Sequence, residues 1–214
     1  MPTDRFAVLT DAAIDVLADL GMRGLTHRAV DGRAGLPLGT TSAYFRTRKA
    51  LIEAVVRRIA DLDRADLEAN RIPGAADAPP VVLDDIGEVA AGIAAVLDHW
   101  MSAARNRTLA RYACLLEATH HLQLRTILAH GDPSRAQARA MLAAAGARDP
   151  ERDGEHLVAC IDGLLFNRLA GAGSRGAPAP GSAENRADLA GAVATLLRAF
   201  TAPPAGRPAA PAAR

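Results

Sequence analysis

Residues Leu25 to Tyr44 read LTHRAVDGRAGLPLGTTSAY, two short helical patterns on either side of a glycine-containing turn. Leu25 is an apolar anchor, and Thr26 stands where a helix needs an N-cap, its hydroxyl free to accept a backbone N–H. The first pattern runs to Ala34, and Gly35 follows it. Glycine takes left-handed backbone without a Cβ penalty and so ends helices. Leu36 plugs the turn into a core, and Pro37 presets φ at the entrance to the next helix. That second helix is expected over about Leu38 to Phe45, with Thr40, Thr41 and Ser42 ahead of Tyr44. Small polar side chains let a helix sink into the major groove of DNA far enough to reach base edges and phosphates.

Charge supports that reading locally rather than globally. The whole chain holds 25 basic and 24 acidic residues, so its bulk charge argues nothing. From Arg23 to Arg58 the basic groups are Arg23, Arg28, Arg33, Arg46, Arg48, Lys49, Arg57 and Arg58, against Asp31 and Glu53. Eight against two is a surplus of six, and it coincides with the turn. Neutralised phosphates are the main sequence-independent source of DNA affinity. A solvated helical face is the alternative reading of such a run.

The pieces LTDAAIDVLADLGMRGLTHRAV and RAGLPLGTTSAYFRTRKALIEAV resemble the N-terminal domain of the tetracycline-repressor (TetR) family of transcription regulators. The combination of RAG, GTT, YF and a basic pair before ALIEAV carries the resemblance, which covers about Arg5 to Ala65. It implies a helix, a helix-turn-helix and the start of a long connecting helix. Two departures stand out. Asp31 occupies a place where such proteins commonly carry a small alanine, and Ser42 and Ala43 stand where an aromatic is frequent. The second changes which groups face the groove, so an operator cannot be transferred from better-known members.

On these grounds the expected DNA-binding set is Thr26, His27, Arg28, Leu38, Gly39, Thr40, Thr41, Tyr44, Arg46, Arg48 and Lys49. Thr26 caps its helix. Arg28 is long enough to reach a base or a phosphate bidentately. Gly39 permits close backbone approach. Thr40, Thr41 and Tyr44 supply the recognition surface, while Phe45 anchors the helix in the core. Thr47 is expected to cap the next helix, with Arg48 and Lys49 clamping phosphate at its positive end.

The rest of the chain predicts an all-α protein. Half of its 214 residues are hydrophobic, enough to bury a sizeable core, and alanine favours helix. Aromatics are only 3%, so the core must be aliphatic. Helical patterns run roughly Asp4–Leu20, ended by Gly21, then Arg48–Asn70, Leu83–Ala104, Thr108–Leu122, Leu124–Ala145, Glu151–Ala170 and Glu184–Phe200. The Leu124–Ala145 helix is expected to bend near Gly131, Asp132 and Pro133. GAGSRGAPAPGSA reads as a flexible crossover between the last two. The expected division is a DNA-binding head over 1–47, a connecting helix over 48–71, an effector-binding and dimerisation body over 72–202, and a disordered tail over 203–214. No apolar run approaches a membrane span, the start lacks a leader pattern, and Cys114 and Cys160 form no CxxC pair. A cytoplasmic protein without membrane partners is expected.

One short recognition helix reads few base pairs, so a homodimer on a pseudo-palindromic operator is expected, its half-sites ~34–36 Å apart. Stripes at Leu157, Ile161, Leu164 and Leu165, and at Leu189, Val193, Leu196, Leu197 and Phe200, are candidates for the seam. They serve equally as the protomer's own core. The resemblance favours a four-helix interface between two copies. The effector pocket is assigned to Trp100, Tyr112, Leu115, Leu116, Glu117, His121, Phe166 and Asn167, apolar with a few polar groups. Cys114, Glu117 and His121 share a helix face with metal-capable chemistry, but no second helix supplies further ligands, so no metal or cofactor is assigned. The leading expectation is a ligand-responsive repressor. An effector-independent regulator or activator is the second reading. An all-helical enzyme is the third, and no nucleophile–base set or phosphate loop supports it.

Overall fold

The computed structural model describes residues 4–70, 72, 86–120 and 133–201, which form nine α-helices and one short 3-10 turn, with no strand among them. Helix α1 spans Arg5–Gly24, and Asp4 caps it by accepting from Phe6 N–H at 3.0 Å. Gly21 is a kink inside this helix rather than its end: at φ 65° it leaves helical geometry, and the last turn resumes beyond it. Helix α2 is His27–Ala34, capped by the Thr26 hydroxyl as expected and closed by Gly35 at φ 63°. Helix α3 is only Thr40–Tyr44. It starts two residues later than expected because Gly39, at φ 92°, breaks the helical path before it. Helix α4 is Arg48–Ala69, with Thr47 accepting from Ala50 N–H at 3.1 Å.

The body follows with α5 (Ile86–Met101), α6 (Arg105–Glu117), α7 (Pro133–Ala144), α8 (Pro150–Leu169) and α9 (Ala183–Thr201). Residues 121–132, where the sequence predicts part of a bent helix, lie outside the described residues, as does the tail expected over 203–214. Helix α9 packs along α5, α7 along α8, and α1 along both α2 and α6. No helix among the described residues is long and apolar enough to cross a membrane.

Two apolar cores result. The first joins α1, α2, Phe45 and the front of α4 (Leu51 to Ile59), and it takes Ala110 and Cys114 from α6 and Ala118 just after it. The second holds Leu67, Ile72, and the inner faces of α5, α7, α8 and α9. Helix α4 therefore belongs to both. The second core also claims five of the residues expected at a dimer seam: Leu157, Leu165, Leu189, Val193 and Leu197 are at most 1% exposed within the single chain. Their stripes face the protomer's own interior, because α5 and α7 already cover them. Ile161, Leu164, Leu196 and Phe200 are only partly buried.

The segment read as a flexible crossover is instead tied down. Ala172–Arg175 forms the 3-10 turn, and Asp98 of α5 anchors the far end. Its carboxylate accepts from Gly181 N–H at 2.7 Å, Asn185 Nδ2 at 2.6 Å and Arg186 Nη1 at 3.1 Å. Burial works against the charge on Asp98, but these donors together outweigh it and hold the carboxyl below its usual range. Composition alone suggests a loose linker there; a buried acid with three donors overrides it. Asp98→Ala leaves those donors unmatched and is expected to cost about 3 kcal/mol, read from the urea midpoint. Because the folded pKa is depressed, the Asp98 contribution is present above the ordinary carboxylate pKa. It is lost as pH falls through the lower folded value.

Candidate nucleic-acid interface

The head is set by one carboxylate. Asp31, on α2 and 1% exposed, accepts from Gly39 N–H at 2.7 Å, Thr41 N–H at 2.7 Å and the Thr41 hydroxyl at 2.5 Å. The first turn of a short helix has backbone donors with no partner inside it. Asp31 supplies that partner from the preceding helix and fixes how α3 leaves the turn. Burial opposes its charge, yet the bonds from Thr41 and Gly39 win and hold its carboxyl below the usual range. The His27 ring lies 2.6 Å from the Phe45 carbonyl and donates to it, closing the other end of α3 against α2.

Three of the expected DNA contacts are thereby reassigned. Thr41 is fully buried on Asp31 and presents nothing outward. His27 spends its ring nitrogen on the Phe45 carbonyl. The Arg48 guanidinium donates to the carbonyls of Leu25 and Met22, so it staples the kinked end of α1 to the start of α4 instead of clamping phosphate. A cation at a helix N-terminus is disfavoured by the dipole, and those two carbonyls compensate it. Two of the six surplus cations are likewise spent at home, Arg33 on Asp19 at 2.6 Å and Arg58 on Asp11 at 2.8 Å, while Lys49 stays exposed, 3.9 Å from Glu53.

Facing outward are Thr26, Arg28, Leu38, Gly39, Tyr44, Arg46 and Lys49, together with Ser42 and Ala43. Leu38 is 71% and Tyr44 49% exposed, high values for side chains so large. Thr40 is half-buried, its hydroxyl donating to the Pro37 carbonyl at 2.6 Å. Arg23, Arg28, Arg46 and Arg57 make no ion pair among the described residues.

Behind the head lies a cavity of about 180 Å³. Its apolar wall includes Val56, Ile59 and Leu67 of α4, Ile93, Val96, Leu97 and Trp100 of α5, Cys114 and Leu115 of α6, Met141 of α7, and Leu157, Val158 and Ile161 of α8. Asp63, Arg111, Ser134, Arg135, Gln137 and Asp162 supply the polar part. Of the expected pocket residues only Trp100 and Leu115 line it. Tyr112 is turned away, its ring edge-on to Phe166 at 5.2 Å and its hydroxyl donating to the Asp162 carbonyl at 3.2 Å. Leu116, Phe166 and Asn167 are exposed, Glu117 is not in the lining, and His121 lies outside the described residues. Helical spacing groups residues on one face but does not say whether that face turns inward. Burial pushes the Cys114 thiol up to about 12, with Glu117 adding to it, so the thiol meets the cavity protonated.

Asp63 of α4 and Arg111 of α6, both at this wall, join Asp66 of α4 and Arg107 of α6 behind it. Asp63 lies 3.0 Å from Arg107 Nε and 3.2 Å from Arg111 Nη1. Asp66 accepts from Arg107 Nη2 and, at 2.8 Å, from Trp100 Nε1. Neither acid was singled out in the sequence, where this stretch reads only as a connecting helix.

Comparison with known proteins decides the family. Residues 84–208 match the family described as tetracyclin repressor-like, C-terminal domain. A relative of Cronobacter sakazakii, HTH-type transcriptional regulator BetI, is 31% identical over 170 residues, covering 74% of this chain and 81% of that protein. The chain belongs to the TetR family. Among solved structures, a TetR-family member from Streptomyces coelicolor superposes with a TM-score of 0.64 at 25% identity, covering 90% of this chain and 98% of that one. The multidrug binding protein EbrR, complexed with malachite green, gives 0.62 at 26% identity over 90% and 98% of the two chains. It is thus an all-helical TetR-family transcriptional regulator.

Within this TetR-family head, Asp31 is the functional residue that the sequence reading passed over. Its signal was there: an acid on a basic surface, eight and ten residues ahead of the Gly39 and Thr41 donors it meets. Asp31→Asn turns an NH2 group toward one of those donors and is expected to destabilise the head by about 2 kcal/mol. DNA affinity measured by fluorescence anisotropy should fall at least roughly tenfold. The native clamp holds at neutral pH and weakens as pH drops through the depressed Asp31 value. A variant with unchanged affinity and unchanged acid unfolding would refute the clamp.

Proposed function

We propose that this TetR-family regulator is a ligand-responsive repressor that binds a pseudo-palindromic operator as a homodimer. One observation supports ligand control above all: Val56 and Ile59 of α4 sit in the head core and also line the cavity. Anything that reshapes the cavity wall reaches the element on which the recognition helix is mounted, with no further linker. The expected mechanism is a population shift, in which ligand favours a conformer whose two heads no longer match successive grooves. EbrR, complexed in separate structures with imidazole, proflavin, ethidium and malachite green, supports a ligand-holding role for this scaffold. In this reading residues 1–47 form the head, 48–71 the connecting helix and 72–202 the body.

The outward face of α8 supports the second copy. His156, Ala159, Cys160, Gly163, Phe166 and Asn167 are exposed at spacings of three and four, and α9 adds Ala187, Gly191, Thr195 and Ala199. These are mostly small residues, which let helix axes approach closely, and a self-complementary patch of this kind suits a two-fold pair. The half-buried Leu164, Leu196 and Phe200 flank it. This seam is rotated about the two helices from the one expected, because Leu157, Leu165, Leu189 and Val193 are taken by the protomer core.

A Cβ added at Gly163 meets nothing within 4 Å in the single chain. Gly163→Leu is therefore expected to leave the protomer folded and to convert dimer to monomer in light scattering at micromolar concentration. A persisting dimer would place the seam elsewhere. Binding to fragments selected from its own genome tests the DNA reading. Arg46→Ala and Lys49→Ala should weaken every sequence and lower the salt slope by about one. Arg28→Ala and Tyr44→Ala should instead change which sequences are preferred, each by about 1–3 kcal/mol.

A further inference from the structure

Arg111 lines the cavity, and its bonding is incomplete. Its Nη1 reaches Asp63 at 3.2 Å, but its Nε and Nη2 are buried and have no hydrogen-bond acceptor. Asp162 stands 3.9 Å from Nη2, too far to accept a hydrogen bond. Buried N–H groups without an acceptor are uncommon and costly, and each calls for an explanation. Nε and Nη2 form one edge of the guanidinium, the edge that a carboxylate takes with two parallel bonds.

The same surroundings are poorly built for a cation. Of the two acids in the lining, Asp63 is engaged by Arg107 at 3.0 Å and by Arg111 at 3.2 Å, and Asp162 is ion-paired with Arg111 at 3.9 Å. The Trp100 ring, which elsewhere would hold a cationic ligand, is already covered by the Arg111 guanidinium at 4.9 Å from its centroid. Apart from Ser134, Arg135 and Gln137, the rest of the wall is apolar. About 180 Å³ is the scale of a cavity that takes a single six-membered ring.

Resting on the ligand-responsive reading above, we infer that the cavity takes a compact carboxylic acid with an apolar ring or branched body, its carboxylate on the Nε–Nη2 edge of Arg111. Solvent barely reaches that edge in the free protein, so binding rotates the guanidinium toward the ligand. The rotation draws Arg111 away from Asp63, and Asp63 is on α4. Ligand capture and loss of an α4 anchor are then one event, which gives the acid a route to the head.

Trp100 is the sole tryptophan of the chain and lines the cavity, so its emission reports occupancy. The test titrates the full-length protein with benzoate, benzamide and benzylamine, which share a ring and differ in the polar head. Benzoate is expected to saturate at least about tenfold below the other two, and to release operator fragments in the same range. Arg111→Gln should abolish the preference for benzoate over benzamide, and Arg111→Lys should restore part of it. Thermal unfolding of each variant, without ligand, separates a lost contact from a lost fold. Benzamide or benzylamine saturating as early as benzoate would overturn the carboxylate assignment and leave the ligand-holding cavity standing. No saturation by any of the three at about 10 mM would overturn both.

Discussion

Two arginines of α6 hold two acids of α4 at the point where α4 passes from one apolar core to the other. In front of Asp63, residues Leu51 to Ile59 pack with the head; behind it, Leu67 packs with the body. An aliphatic joint would let α4 slide or roll, because dispersion contacts are non-directional. Charged hydrogen bonds are directional and costly to misplace when buried. Asp63 with Arg107 and Arg111, and Asp66 with Arg107 and Trp100, thus fix both the register and the rotation of α4. The head's orientation relative to the body follows from that choice.

The head repeats the device on a smaller scale. A five-residue helix has almost no stability of its own, since nucleation consumes most of its hydrogen bonds. Helix α3 is held at its front by the Asp31 carboxylate, at its back by His27, and underneath by Phe45, which is 3% exposed. Arg48 then ties the base of α4 to the kinked end of α1. Several residues that a charge count assigns to DNA are in this way the ones that build the platform. What is left outward is a smaller set with Arg28, Tyr44 and Arg46 at its centre.

The body illustrates why helical periodicity finds cores but not sites. Leu157, Leu165, Leu189 and Val193 stand at the spacing of an interface, and they are equally at the spacing of an interior. Which of the two they become depends on α5 and α7 arriving from elsewhere in the chain. The cavity has the same origin. Its wall draws on α4, α5, α6, α7 and α8, so no single stretch of sequence announces it. Trp100 and Leu115 were legible as pocket residues because of their size and segment, whereas Arg111 was not, since an arginine on a helix is ordinarily solvated.

By itself the sequence determined the local stops and starts. Thr26 and Thr47 as caps, Gly35 as a left-handed terminator, the all-α class and the family resemblance all rest on interactions within a few residues. Short-range geometry depends only on neighbours that the chain itself supplies. Tertiary structure decided everything that needs a partner more than a turn away. Asp31 became a clamp rather than a stray negative charge, Arg48 a staple rather than an anion site, and Asp98 the anchor of a supposedly loose segment. A charged side chain has no fixed role until packing determines whether water or a buried partner meets it.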